Sequence, residues 1–558
     1  MRYYPVYLEI APGGLCLAHV LELLGCVVRA PSREQAERLL PEAIRAYHAW
    51  LRRHGEEAPS AEEPFDIQAA AESTGFGPFD PRNAAALFPP DLQAVTPEEI
   101  EFHLRLLAHS RADLLAMVRG LPDDLLDWQP WPDSWPLRSV LRHIGNAEEW
   151  YVSRLVPAET LPPEWKGDED LPLFDFLDME RRTAVARLRE LTEQERVGLF
   201  HPTGWTDHPD EPWTVRKALR RFLEHELEHT GQVREILSAR RRWLLAQLAA
   251  GRAGLLGDML SLEERAFSQR PVLGEWTVKD LLAHVAAWDR WDHQAMKAMV
   301  AGEEPDWTAV KDVDAANAGF FASWRDRSLV EVLAELQAAR GEWVAWLESL
   351  PEEQFFRRRT PSGYNWSFSD DVLPIQWKHD AEHAAHITAW RKRARVKKQT
   401  GPKGVLLAAL AAARQELLAA AAVVPAGRRT TVPVCGEWTL KDVLGHVADW
   451  EAFCAEWLRL FGTGKAAQVD HDGGVQAWNE RKAAARRDQP WEQVEGDLRA
   501  TRDGLLEVLD GLSQADLDRP FPTPWDRNGT PYRWVCVFFG HDREHAHGLW
   551  RARAVPGF

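Results

Sequence analysis

Apolar positions along this chain recur mostly at helical spacing, and they do so three times over. Amphipathic stretches at Glu101–Val118, Trp243–Leu260 and Val405–Ala422 each open a block. A second stretch in each block starts at a tryptophan and carries one histidine eight residues later: Trp135 to His143, Trp276 to His284, Trp438 to His446. A third spans Phe174–Leu191, Leu329–Leu350 and Trp491–Leu512. A fourth carries a pair in the pattern His-acid-x-Glu-His: His225-Glu226-Leu227-Glu228-His229, His379-Asp380-Ala381-Glu382-His383 and His541-Asp542-Arg543-Glu544-His545. Four amphipathic helices around one polar constellation predict a four-helix bundle, three in tandem over 97–241, 242–402 and 403–558. The lone histidine precedes its pair by 82, 95 and 95 residues, which places a short insertion around Asn317–Arg327 and Gln476–Arg487.

The second stretch also carries start signals. Thr277 and Thr439 suit the N-cap, with Asp280 and Asp442 three residues on as in a capping box, and Pro136 suits a first helical position. The lone histidines then fall about two turns into an amphipathic helix.

The first 75 residues follow a different period. Tyr3–Ile10, Leu15–Val20 and Cys26–Ala30 read as strands, Pro12-Gly13-Gly14 as a turn, and Phe65–Ala70 as a fourth strand. Ser32 caps a helix from Arg33 to about Arg53. Residues 76–96, rich in Gly, Pro and Asn, read as a linker. The expected fold class is therefore mainly α: three tandem four-helix bundles with a small N-terminal α+β domain.

Composition narrows the partners. A net charge of −18 over 558 residues disfavours nucleic-acid phosphates and anionic membrane surfaces, so neither partner is expected. The five cysteines never form C-x-x-C; that fits a reducing cytoplasm and offers no thiolate site. No apolar leader is visible, and the expected location is cytoplasmic. Twenty-seven Trp stand against seven Tyr. Most read as helix-packing residues, with an aromatic-walled pocket as the sharper alternative.

Histidines at i and i+4 project from one helical face, and a third from a facing helix completes three ligands with a position left open. A single H-x-x-x-H is weak, and a lone histidine on an apolar face is usually a satisfied core residue. Here the three positions hold histidine in all three copies. The candidate metal ligands are His143, His225 and His229; His284, His379 and His383; and His446, His541 and His545. Imidazole ligation suits zinc first, with nickel, iron or copper compatible. His293, His386 and His547 fall outside the shared pattern and read as surface or ligand-supporting residues.

A competing motif is present. Residues 225–229 satisfy H-E-x-x-H, the zinc-protease signature, and its inverse H-x-x-E-H. Asp380 and Asp542 break the first form in the other copies, and His545 has no downstream helix to supply a third ligand. The upstream histidine fits better. Glu228, Glu382 and Glu544 read as partners of outer-face arginines rather than bases, and Asp280 and Asp442 as caps rather than histidine orienters. No catalytic or cofactor-binding residue beyond the metal ligands is named.

The Trp-x7-His helix start and the later H-x3-H resemble the DinB/YfiT-like superfamily of metal-dependent four-helix bundles, over about 97–555. His229-Thr230-Gly231-Gln232-Val233 is close to that family's fourth-helix run. Repeats two and three, with Gly-Glu-Trp-Thr-x-Lys-Asp, are more similar to the branch of mycothiol-dependent maleylpyruvate isomerases and ClbS-type resistance proteins, though they lack the Gly-Gln. The resemblance implies a divalent-metal enzyme that transfers a low-molecular-weight thiol to an electrophile or opens a reactive ring. Leu24-Gly25-Cys26-Val27, Ser32–Ala36 and Glu42–Tyr47 are similar to HicB-like antitoxin domains, which implies a protein partner or dimerisation through the N-terminal domain; no helix-turn-helix follows.

Three readings compete. A thiol S-transferase or hydrolase acting on small molecules in detoxification or stress response stands first. A non-catalytic metal-binding or interaction scaffold is the alternative. A HicB-type regulator with a small toxin partner is third. Nucleotide-binding glycine motifs and G-x-S-x-G are absent from the sequence.

Overall fold

The computed structural model describes residues 2–74, 85–157, 160–166, 170–202, 204–363, 365–396, 398–463, 474–521 and 528–554. They fall into two units, Met1–Trp128 with Trp135–Ile236 and Gln129–Ser134 with Leu237–Phe558.

In the first unit, the alternating N-terminal runs form β1 (Arg2–Ile10), β2 (Cys16–His19), β3 (Val27–Ala30) and β4 (Phe65–Thr74), with α1 (Arg33–Arg53) before the last. The sheet order is β3-β2-β1-β4; β1 lies antiparallel to β2, with Tyr7 opposite His19, and parallel to β4. The Ser32 hydroxyl accepts from the Gln35 amide at 3.3 Å, the expected cap.

The four long helices of the first bundle follow: α2 (Pro97–Val118), α3 (Leu137–Val152), α4 (Leu173–Arg189) and α5 (Val215–Gly257). Thr96 and Glu99 form a capping box at α2. Pro136 takes the N-cap of α3, one place before its expected position.

The small domain and this bundle share one core, in which Leu8, Ala36 and Ile44 join Leu104, Leu107 and Leu223. A buried polar joint ties them further. His19 Nδ1 meets Glu224 at 2.8 Å and its Nε2 meets Glu9 at 3.1 Å. Burial opposes charge on His19, but the two carboxylates outweigh it and hold its pKa above the usual value. The expected linker is packed over its second half: Ala86 and Phe88 are buried with Tyr7, and Asp91 pairs with Arg220 at 2.9 Å. Residues 76–84 lie outside the described residues.

The expected boundary at 241 falls inside α5, which runs unbroken for 43 residues. From Gly231 to Gly257 the chain has no proline and is rich in Ala, Leu and Arg, so nothing local stops the helix.

The second unit continues with α6 (Val278–Ala301), α7 (Val313–Trp324), α8 (Leu329–Ser349) and α9 (Leu373–Arg393). Its last bundle has α10 (Lys403–Val423), α11 (Leu440–Arg459), α12 (Gly474–Arg486), α13 (Trp491–Asp510) and α14 (Pro531–Ala554). Thr277 with Asp280 and Thr439 with Asp442 close the predicted capping boxes. The expected insertions are the helices α7 and α12.

One core crosses both bundles of this unit: Leu256, Leu282 and Ile387 cluster with Leu406, Leu410 and Phe538. The Tyr532 hydroxyl donates to Leu260 O at 2.7 Å across the same seam. Helix α10 is long and apolar enough to cross a membrane by composition, but 67% of that stretch is buried in the unit.

Candidate metal centres

The three histidine triads assemble. In the first bundle, His225 Nε2 lies 3.0 Å from His143 Nε2. In the second, His379 Nε2 lies 2.9 Å from both His284 and His383 Nε2. In the third, His541 Nε2 lies 2.9 Å from His446 and 3.0 Å from His545. Within each triad the ligand atoms all fall within 4.8 Å of one another. The lone histidine comes from the second helix of its bundle and the pair from the fourth. A zinc ion with Zn–N near 2.1 Å spaces its nitrogens by roughly 3.3 Å, so the donor set fits a divalent cation.

All nine imidazoles have lowered pKa values. Burial is the first cause throughout, and it takes His143 to about 4, His284, His383 and His446 to about 3 and His541 to about 4. His225, His229, His379 and His545 move the same way. Neutral rings leave lone pairs free for a cation. In the first bundle, His229 Nδ1 donates to Gln232 Oε1 at 2.7 Å, which leaves its Nε2 as the acceptor nitrogen. The Gly-Gln run that only repeat one carries thus supplies the tautomer lock.

The eight-residue Trp-to-His spacing has a direct meaning. Trp135, Trp276 and Trp438 pack on the rings of His143, His284 and His446 at 5.2, 5.0 and 4.9 Å between centroids. Each indole packs against its histidine's ring and restrains it.

The acid after the first histidine of each pair turns away from the triad. Glu226 accepts from Arg111 at 2.8 Å, and Arg181 bonds both Glu226 and Glu148. The second bundle repeats the arrangement: Arg252 and Arg340 each reach Asp289 at 2.8 Å and Asp380 at 3.3 Å. The third repeats it with Arg414, Glu451, Arg502 and Asp542, as in Arg414–Glu451 at 2.7 Å and Arg502–Asp542 at 2.7 Å. Each bundle therefore buries two arginines and two carboxylates, one from each helix. Each arginine also donates to a backbone carbonyl of the opposite helix, as Arg111 to Leu177 O at 3.0 Å and Arg181 to Leu107 O at 2.8 Å. The protease look-alike ends here, because Glu226 belongs to this quartet.

Sequence reasoning missed the quartet. Its signal is legible afterwards: an arginine on an otherwise apolar helix face at 111, 252 and 414, and an acid five residues after each lone histidine.

Glu228, by contrast, meets Arg29 of the small domain at 3.0 Å. Burial nonetheless pushes its pKa up to about 7. Asp280 and Asp442 act as caps, their carboxylates accepting from the Thr277 and Thr439 amides at 2.9 Å. His293 is buried against Trp346, His386 lies 5.6 Å from the His383 ring, and His547 pairs with Glu416 at 3.2 Å.

The insertion helices border the second and third sites. Trp288 Nε1 donates to Asn317 of α7 at 3.0 Å, and Trp450 to Asn479 of α12 at 3.0 Å. The motif lysines hold the far end: Lys279 donates to Arg325 O and Arg327 O at 2.6 and 2.7 Å, and Lys441 to Arg487 O and Gln489 O at 2.7 and 3.1 Å. Repeat one has no insertion, and its Arg138 at the matching position pairs instead with Asp127 and Asp123 at 2.6 and 2.7 Å.

No curated protein and no solved structure matches the chain. The family model of the DinB superfamily matches three successive segments, 106–233, 237–387 and 409–548, each containing one histidine triad, and the chain belongs to that superfamily.

Proposed function

We propose that the chain is a metal-dependent enzyme acting on small molecules, by thiol S-transfer to an electrophile or by hydrolysis, with zinc as the resident metal. Nickel, iron or copper also suits the donor set. The observation that carries the reading is the convergence of three neutral imidazoles, three times, beside a tryptophan. Three protein ligands leave a position open for a reactant, whereas closed structural sites use four. A divalent ion held this way would lower the proton affinity of a thiol or a water, which is what either reaction needs. The remaining contributions belong to the chain. The histidines present lone pairs, the indoles brace the histidine rings, and the Arg–acid quartets hold the histidine-bearing helices in register. Membership in the DinB superfamily supports a metal-dependent role. The small N-terminal domain, joined to the first bundle through His19 and Arg29, is proposed as a docking module.

The test is elemental analysis of chain purified without chelator, followed by turnover assays with low-molecular-weight thiols and a panel of electrophiles. About one equivalent per triad is expected, with one lost in each of His225→Ala, His379→Ala and His541→Ala. Metal well below one equivalent per chain would sink the reading. Full metal with no turnover across the panel favours the scaffold.

A further inference from the structure

The first unit holds a cavity of about 710 Å3 that the histidine triad does not line. That volume suits a small molecule. Its walls are aromatic, from Trp150, Trp165, Trp205 and Phe176, and two cations, Arg142 and Lys166, stand at it. The cavity flanks the metal centre, since Asn146 and Trp150 line it and follow His143 on α3 by about one and two turns.

Among the described lining residues, two cations stand against one acid, Glu149. Behind the wall sits Arg154, 1% exposed, with its guanidinium 4.3 Å from the Trp150 ring. It donates to Trp150 O at 3.2 Å, to Ser153 Oγ at 2.9 Å and to Gly204 O at 2.7 Å, while its Nη1 has no partner among the described residues. Burial draws its pKa down to about 10, so it remains charged at neutral pH. The buried quartet arginines Arg111, Arg252 and Arg414 each face two carboxylates. Among the described residues no carboxylate lies in salt-bridge contact with Arg154, whose nearest compensating charge is Glu211. Arg142 lies over the Phe176 ring at 4.9 Å and donates to Leu171 O, its one hydrogen bond among the described residues. Trp165 is 5% exposed, and its indole N–H is buried with no hydrogen-bond partner among the described residues. Buried polar groups left this way call for a ligand or water.

We propose that this cavity binds a planar aromatic small molecule bearing a carboxylate, with the ring against the indoles and the anion toward Arg142 and Lys166. The inference rests on the reading of the first bundle as a small-molecule site, and it names the substrate class there. Indole faces select flat rings, and the two cations at the described wall select an anion through charge-assisted hydrogen bonds.

The experiment is isothermal titration calorimetry of the full chain with 1-naphthoate, the uncharged 1-naphthamide and 1-naphthylmethylammonium. Saturable binding of one naphthoate per chain is expected, with the amide weaker by about tenfold and the cation weaker still. Arg142→Met with Lys166→Met should bring naphthoate down to the level of the amide without changing the amide. Trp205→Ala should weaken both; Trp205 is 59% exposed, so the fold tolerates the change. Equal binding of naphthoate and amide overturns the proposal, as does indifference to the Met variants or no saturation at millimolar ligand. Metal content measured on the same samples separates the two readings. Failure here with metal intact leaves the metal centre standing, and loss of metal with naphthoate binding intact does the reverse.

Discussion

Glu226, the residue directly after His225 of the first histidine triad, accepts from Arg111 on the first helix of its bundle at 2.8 Å. Two adjacent residues on one helix thus face opposite tasks about 100° apart: His225 points into the triad and Glu226 into a buried ionic quartet. Breaking such a quartet by removing one partner strands the others without compensation. Glu226→Ala, and equally Asp380→Ala or Asp542→Ala, should destabilise its unit by about 3–5 kcal/mol. Urea unfolding measures this, with the more exposed Glu382→Ala as a near-neutral control.

Removing the metal should lower stability by mass action. At free metal near 100 times its Kd, each site contributes about 2.7 kcal/mol. Chelator should therefore lower the melting temperature of the native chain, and should lower it less in His379→Ala. Calorimetry with and without chelator checks both; equal shifts would separate His379 from the metal.

Gly25 has φ +90°, and a Cβ there would lie 2.8 Å from Leu223 and Leu227 of α5. Gly25→Ala should cost about 1–3 kcal/mol from overpacking, with further backbone strain. Gly13, where a Cβ meets nothing within 4 Å, is the control. Equal unfolding midpoints for the two variants would contradict the close docking of the small domain.

His103 is 2% exposed, and burial lowers its pKa. Its folded value lies below the unfolded one near 6.5, so the unfolded chain takes up the proton first as pH falls. Stability from this group is present above pH about 6.5 and is lost as pH falls through that value toward the folded pKa. The triad histidines push in the same direction, so the informative quantity is a difference. Between pH 7 and 5.5, His103→Gln should lose less of its stability than the parent chain does, read from urea midpoints.

Lys279 closes the end of the α7 insertion through two backbone carbonyls. Lys279→Met should speed hydrogen exchange in α7 and leave that of α8 nearly unchanged. Arg138→Met, which touches no insertion, should not reproduce the effect. Unchanged exchange in α7 would remove the lysine's capping role.

Much of this architecture was legible because it is local. Helical periodicity, the Thr–Asp caps and the strand alternation around Tyr7 depend on neighbours in sequence, and the three copies averaged out the noise of any single motif. The recurrence of histidine at matched positions carried the triads for the same reason. What stayed hidden depends on which elements meet. Arg111, Glu148, Arg181 and Glu226 are far apart in sequence and unremarkable singly, and only the crossing of four helices makes them a neutral quartet.

The sequence by itself determined the helices, the small sheet and the nine histidines that gather into triads, because propensity, capping and i,i+4 geometry act within a few residues. Tertiary structure alone decided two other things. It packed residues 85–92 against β1 and α5, since Asp91 needs Arg220. And it turned Glu226 away from the triad, since a buried carboxylate goes where two guanidinium groups can neutralise it.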